Sequence, residues 1–200
     1  MAIKAIIFDM EGVLMINNEI DLSACWAKAL NVPYDAVHDV FYGEMNDKAD
    51  LGDVSQADFD RYLITTLGLG MEMLPVVQKV IDEECFIDQV LVEKIMELKQ
   101  KYKIGLLSNY TDMMREKIEK EWKITHLFDD IIISYEVGLI KPDPAIFELA
   151  LSRLGVSASE AVLIDDRIKN IDGARQFGLH AIHYQTRQQA LAELENLLNL

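Results

Sequence analysis

The sequence predicts an α/β protein: a parallel sheet with helices on both faces, interrupted after its first strand by a block of inserted helices. Three observations carry this reading. Short apolar runs of strand length alternate with amphipathic stretches of helical period, and such alternation builds parallel sheets covered on both sides. The first run, residues 3–14, reads Ile-Lys-Ala-Ile-Ile-Phe-Asp-Met-Glu-Gly-Val-Leu, a buried strand running into acids and a glycine. Between residues 15 and 85 the alternation stops and the patterns are helical.

The elements follow in order. In an extended chain Asp9 and Glu11 point to the same side of the first strand's end, and Gly12 lets the backbone turn away. The insert reads as helices over residues 20–30, 35–41, 55–66 and 74–81, punctuated by Pro33 and Pro75. Ser55 with Asp58 three residues on is a variant of the capping box. A helix over 88–101 then leads into a strand at 103–108, and one over 112–122 into a strand at 130–134. The helix at 144–154 can be capped by Asp143, opened by Pro144 and closed by Gly155; a strand at 161–165 follows it. A last helix at 168–177, closed by Gly178, precedes a strand at 179–183.

Two hundred residues suit one domain with a modest insertion. The net charge of −15 argues against binding a nucleic-acid backbone. The chain has no apolar run of membrane-spanning length and no signal-peptide pattern, so a soluble cytoplasmic protein without a membrane partner is expected. Cys25 and Cys85 lack any ligand spacing and read as reduced, partly buried thiols. His38, His126, His180 and His183 read as ordinary core or surface residues. Trp26, Tyr34, Phe41, Tyr42 and Met45 read as core of the insert, with one or two of them able to line a substrate pocket, and the charge runs at 93–103 and 115–123 as solvated helix faces.

Ligands of open parallel sheets sit beyond the carboxyl ends of the strands. There this chain places Asp9, Ser108, Ser134 and the pair Asp165-Asp166. Charges are rarely left at the end of an apolar strand without a task, because desolvating them is costly. Asp9, ionised at neutral pH, can attack phosphorus in line and form an aspartyl-phosphate, and Glu11 can protonate the leaving oxygen and later activate water. Two like charges about 4 Å apart repel by about 4 kcal/mol at an effective dielectric of about 20. A hard cation such as Mg²⁺ relieves the repulsion among Asp9, Glu11, Asp165 and Asp166. Lys141, just before Pro142, supplies a fixed positive charge, and Ser108 and Asn109 offer donors to a phosphate.

Taken in order, Asp9-Met-Glu-Gly-Val, Ser108-Asn109, Lys141-Pro142 and Ile164-Asp165-Asp166 resemble the four signature motifs of the haloacid dehalogenase-like (HAD) superfamily. The likeness covers essentially the whole chain, including the insert and the Asn170-x-x-Gly173-Ala174-Arg175 stretch, and is nearest to small sugar-phosphate phosphatases and the phosphatase domain of soluble epoxide hydrolases. It implies a Rossmann-like three-layer core, residues 1–14 and 86–200, with an α-helical cap at 15–85. It implies Mg²⁺-dependent hydrolysis of a small phosphorylated metabolite. Asp9 would be the nucleophile, Glu11 a metal ligand through its backbone carbonyl and Asp166 through its carboxylate, with Asp165 on the ion or its waters. Ser108, Asn109 and Lys141 would grip the phosphate. Such phosphatases usually carry aspartate where this chain has Glu11, and the extra methylene moves the carboxyl by roughly 1.5 Å, which bears on its acid–base role. The enolase-phosphatase branch shares Asp-x-Glu-Gly. Other readings of the same scaffold are a metal-independent 2-haloacid dehalogenase, a phosphomutase, or a weakly active phosphate-binding regulatory protein. Oligomeric state is not readable from the sequence.

Overall fold

The computed structural model describes residues 2–16 and 21–198. Strands β1 (Ala5–Phe8), β4 (Lys103–Ser108), β5 (Asp130–Ile133), β6 (Ala161–Asp165) and β7 (His180–His183) form one parallel sheet in the order β5-β4-β1-β6-β7. The central strand β1 sets Ile6 opposite Ile104 on one side and Val162 on the other. Strand alternation then builds two cores. Ile7, Leu107 and Leu163 pack with Phe147 and Leu151 of α9 (Pro144–Leu154) and Ala174 of α10 (Ile168–Phe177). Ile6, Phe8, Ile104 and Val162 pack with Leu91 and Ile95 of α6 (Gln89–Leu98), Met114 of α7 (Met113–Glu116) and Leu194 of α11 (Arg187–Leu198). The result is the α/β three-layer architecture.

The chain runs outward from β1 to β4 and β5, then returns to β6 and β7 on the other side. Strand order therefore reverses at β1, and the carboxyl ends of β4, β1 and β6 border a crevice. The predicted cap is in place at α9, where Asp143 accepts from the Ala145 N–H (2.8 Å); α6 has one that was not predicted, Asp88 accepting from Val90 and Leu91 (3.0 and 3.2 Å).

The insert begins and ends at a two-residue antiparallel ribbon, β2 (Met15–Ile16) against β3 (Phe86–Ile87). Between them lie α1 (Leu22–Leu30), α2 (Tyr34–Phe41), α3 (Glu44–Leu51), α4 (Gln56–Thr66) and α5 (Leu74–Glu84). These helices share a core of Trp26, Val37, Val40, Phe59, Leu63 and Val77. Trp26 stacks on Phe41 with centroids 3.9 Å apart and donates its indole N–H to the Val77 carbonyl at 3.0 Å. Ser134 Oγ, just past β5, donates to the Asp50 carbonyl (2.6 Å) and so ties α3 to the sheet end. Among the described residues no single helix is long and apolar enough to cross a membrane.

Several sequence expectations are corrected. The first strand stops at Phe8, because Val13, Leu14 and Met15 all donate back to the Met10 carbonyl (3.4, 2.9 and 2.7 Å). Asp9 and Glu11 therefore do not share a strand face. The stretch 112–122 is one α-helical turn followed by a π-helical turn, Lys117–Glu121. Lys117 is buried there and reaches Asp82 of α5 at 3.4 Å, so that charge run is not wholly solvated. Tyr34 and Tyr42 are 42% and 55% exposed and lie outside the insert's core. Ser55 caps α4, but its hydroxyl donates to the Asp58 carboxylate (2.8 Å), so Asp58 turns to the hydroxyl. Residue 20, the expected start of the first inserted helix, lies outside the described residues; α1 is capped by Asp21, which accepts from Ala24 N–H. Helices α3 and α11 and the ribbon were not expected.

One close approach holds the crevice together. A Cβ added at Gly173 of α10 would lie 2.5 Å from Pro142 Cβ. Gly173→Ala should therefore lower stability by about 1–3 kcal/mol despite alanine's better helix propensity. Urea unfolding tests this, and an unchanged or raised midpoint would show that the two segments have room.

Candidate active site

Asp9 lies one residue beyond β1 and its N–H still donates to the Ile164 carbonyl of β6 (2.9 Å), which fixes it over the sheet end. Its Oδ1 accepts from the Met10 N–H at 2.7 Å and lies 2.8 Å from Lys141 Nζ. Among the described residues nothing donates to Oδ2. Lys141 is almost fully buried, and its ammonium donates to Asp9, to Asp165 Oδ2 (2.7 Å) and to the Leu107 carbonyl (2.7 Å). All three N–H groups are thereby engaged, so an arriving phosphate meets the charge of Lys141 rather than a spare donor.

Asp165 is saturated too. Oδ1 accepts from the Arg167 N–H (2.8 Å) and both oxygens accept from Asn170 Nδ2 (3.0 Å each), besides the Lys141 contact. These donors hold its carboxyl below the usual range although burial pushes the other way. Burial alone would depress the Lys141 ammonium, but Asp9 and Asp165 keep it raised. Asp9 is pushed well above the carboxylate range by burial and by Asp165 and Asp166, with Lys141 opposing. Asp166 is pushed up to about 6, first by burial and then by Asp165.

One oxygen from each of Asp9, Asp165 and Asp166 falls within 4.8 Å of the others. Fully ionised, three carboxylates against one ammonium would leave two uncompensated negative charges, and the repulsion among them adds to burial in pushing Asp9 and Asp166 up. Asp166 Oδ1 is buried with no partner, and Gly12, at φ +75°, makes room beside it: a Cβ there would stand 2.5 Å from Asp166 Oδ2. An all-oxygen donor set with a double charge deficit suits Mg²⁺ better than a thiolate- or imidazole-seeking ion. The residues thus fit the group. Asp9 and Asp166 have oxygens to give it, whereas Asp165 is occupied in holding Lys141. The Glu11 carboxylate stands apart, 40% exposed and 3.8 Å from Arg167, so only its backbone carbonyl is left for the cation.

The other expected residues divide in the same way. Ser108 is fully buried and its Oγ has no partner. Asn109 is engaged by the backbone of Lys141 at both ends of its amide, accepting from N–H (2.9 Å) and donating to the carbonyl (3.0 Å), so its side chain positions Lys141 rather than gripping phosphate. Sequence reasoning missed Thr111, whose buried hydroxyl is also unpartnered, and Arg167, Asn170 and Asp50. It also missed the part played by His183, which donates from Nε2 to the Asp166 carbonyl (2.9 Å). Among the described residues the buried side-chain polar atoms without partners are Ser108 Oγ, Thr111 Oγ1, Asp166 Oδ1 and Asn170 Oδ1. All four lie at the carboxyl end of β4 or in the segments that follow β4 and β6. Native proteins leave few such atoms, so their concentration marks a place built for a polar ligand.

The insert roofs this crevice. A cavity of about 470 Å³ lies between them, floored by Glu11, Asn109, Tyr110, Thr111 and Arg167 and walled by inserted helices. A second, of about 650 Å³, adjoins it along Glu11, Tyr42 and Arg167 and reaches Gly12 and Asp166. The Arg167 guanidinium sits 5.9 Å from the centre of the Tyr42 ring at that junction. Asp50 of α3 lines the first cavity; burial, and then the charge of Glu11, pushes its carboxyl up to about 7.

Comparison with known proteins agrees with this fold. The model of the haloacid dehalogenase-like hydrolase family matches residues 3–178. Over 81 residues, 40% of this chain and 32% of the relative, the sequence is 40% identical to a phosphoserine phosphatase of Thermus thermophilus. It is 30% identical over 81 residues, 40% of this chain, to an (S)-2-haloacid dehalogenase of Burkholderia cepacia, of which the match spans 35%. These matches take in about a third of each relative's length. A HAD-family enzyme of Bacteroides thetaiotaomicron, solved in complex with magnesium and inorganic phosphate, superimposes with a TM-score of 0.72 at 21% identity, covering 90% of this chain and 93% of its own.

Two predictions follow from the charges. Lys141→Met leaves two buried carboxylates without their cation and should cost about 3–5 kcal/mol of stability at neutral pH, read by urea unfolding; a loss below about 1 kcal/mol would mean the ammonium is dispensable. Asp50 has a folded value of about 7 against an ordinary 3.8, so folding disfavours its ionised form. That penalty is absent below about pH 4 and complete above about pH 7. Asp50→Asn should therefore match the parent near pH 4 and exceed it by up to about 4 kcal/mol at pH 8. Thermal melts across that range decide it, and a pH-independent difference refutes it.

Proposed function

This chain belongs to the haloacid dehalogenase-like hydrolase family, and we propose that it is a Mg²⁺-dependent phosphatase of small phosphomonoesters acting through an aspartyl-phosphate on Asp9. The observation that carries the proposal is the set of unpartnered polar atoms, Ser108 Oγ, Thr111 Oγ1 and Asp166 Oδ1, gathered around a carboxylate whose Oδ2 has no donor among the described residues. Phosphate is the ligand that needs hydroxyl donors and a fixed ammonium together. A named phosphatase relative, and a related fold that holds magnesium with inorganic phosphate, support the same reading.

Bound at Asp9 and Asp166, Mg²⁺ would neutralise the residual charge and polarise the phosphoryl group. The chain's own residues do the rest. Lys141, held by Asp165 and Leu107, keeps Asp9 in place and favours its carboxylate. Asp9 forms a bond to phosphorus as the ester P–O bond breaks, and Glu11 gives its proton to the departing alcohol. Glu11 then takes a proton from water, the water oxygen bonds to phosphorus, and the Asp9–phosphorus bond breaks to free inorganic phosphate. Support for Glu11 in both steps is that it lines the cavity proposed to take the alcohol. The extra methylene of glutamate is accommodated by Arg167, which draws the carboxylate to the cavity's junction.

A dehalogenase reading has a relative behind it but needs a cation for the acid's carboxylate. Among the described residues lining the 470 Å³ cavity, Arg167 is the cation present, and Glu11 already faces it.

Asp9→Asn should reduce phosphate release from p-nitrophenyl phosphate by at least about a thousandfold, with cooperative unfolding retained. Glu11→Gln should lower kcat by about 10²–10⁴-fold, and EDTA should abolish turnover until Mg²⁺ is restored. Undiminished turnover in Asp9→Asn, or in EDTA, would sink the mechanism.

A further inference from the structure

The cavity beneath the inserted helices deepens the phosphatase reading, on which this inference rests. We propose that the alcohol half of the substrate is compact and apolar and carries no second anionic group. At about 470 Å³ the cavity is of small-molecule size, and it shares Glu11, Tyr42 and Arg167 with the adjoining cavity that reaches Gly12 and Asp166, which gives an alcohol leaving phosphorus a path into it. Its walls are Trp26, Phe41, Phe59, Leu63, Val77 and Ile81, contributed by α1, α2, α4 and α5. These carry no hydrogen-bonding group for a polyol except the Trp26 N–H, which Val77 already accepts, and the amides of Asn46, Gln56, Gln78 and Asn109 in the lining already donate to Asp50, Asp60, Asp82 and the Lys141 carbonyl. A hydroxylated chain lying against those walls would leave unpaired every hydroxyl that does not reach the floor, where Tyr110 and Thr111 offer theirs.

The charges point the same way. The lining described here holds three acids, Glu11, Asp50 and Asp60, and one cation, Arg167. Arg167 is engaged by Glu11 at 3.8 Å and by the Tyr42 ring. Asp50 and Asp60 already accept from Asn46 (3.2 Å) and Gln56 (2.7 Å). A second carboxylate or phosphate on the substrate would thus be desolvated among acids with no free counter-ion. Apolar carbons gain instead, by roughly fourfold in affinity for each buried methylene.

The test compares three esters with matched leaving oxygens: pentyl phosphate, 5-hydroxypentyl phosphate and 4-carboxybutyl phosphate. One readout is kcat/KM for phosphate release by the Mg²⁺-loaded enzyme. The other is quenching of tryptophan fluorescence, Trp26 lining the cavity, when Asp9→Asn protein binds each intact ester. Pentyl phosphate should lead the hydroxylated ester by about fivefold and the carboxylated one by at least about tenfold in both. Met71→Lys, which sets a cation at a rim position that is half exposed, should bring the carboxylated ester within about threefold of pentyl phosphate. A carboxylated or hydroxylated ester that equals or beats pentyl phosphate overturns the inference. If no ester, p-nitrophenyl phosphate included, releases phosphate, the phosphatase reading falls; the binding order of Asp9→Asn then still judges the cavity.

Discussion

The Lys141 ammonium, sealed between Asp9 and Asp165, is the interaction to which the rest of the site is fitted. A buried cation is tolerable only where every N–H is matched and its charge is answered. The fold supplies both: the Leu107 carbonyl takes the third N–H, the Asn109 amide clamps the Lys141 backbone, and α10 comes close enough at Gly173 to touch Pro142. Asn170 and the Arg167 N–H then complete Asp165. Each contact makes sense once Lys141 must sit there, and none has an obvious reason otherwise.

The same pairing explains why the site is unfinished on its open side. One cation cannot balance three acids, so the deficit falls on Asp166 and on Asp9 Oδ2. Gly12 keeps the space beside Asp166 clear of a side chain. A charge deficit, an orphaned carboxylate oxygen and two unpartnered hydroxyls in one crevice are costly in a folded protein left alone. They are the expected arrangement where a divalent ion and an anion bind together.

Much of this was readable from residues. An acid ending an apolar strand has few structural explanations, so Asp9 and Asp165-Asp166 stood out, and α9 announced itself through Asp143, Pro144 and Gly155. What could not be read depends on packing rather than pattern. The direction of Glu11 is decided by a turn closing on the Met10 carbonyl, which alternation cannot foresee. The division of labour between Asp165 and Asp166 depends on where α10 docks. Helix α3, mostly polar over residues 44–51, offers no apolar stripe to find, and it carries Asp50 into the cavity wall.

Chemistry and selectivity are thereby housed in separate layers that meet at few points. The core is anionic and tightly hydrogen-bonded; the inserted helices face it with apolar side chains among which Asp50 and Asp60 are the acids. Arg167 with the Tyr42 ring joins them on one side and Ser134 with the Asp50 carbonyl on the other. Because the second link runs through a backbone oxygen, the side chains of the insert are free to vary without disturbing the charge balance around Lys141. The first link does not share that freedom. Glu11 faces Arg167 and floors the cavity at once, so under the proposed mechanism it is the residue through which a change in the bound alcohol would be felt at phosphorus.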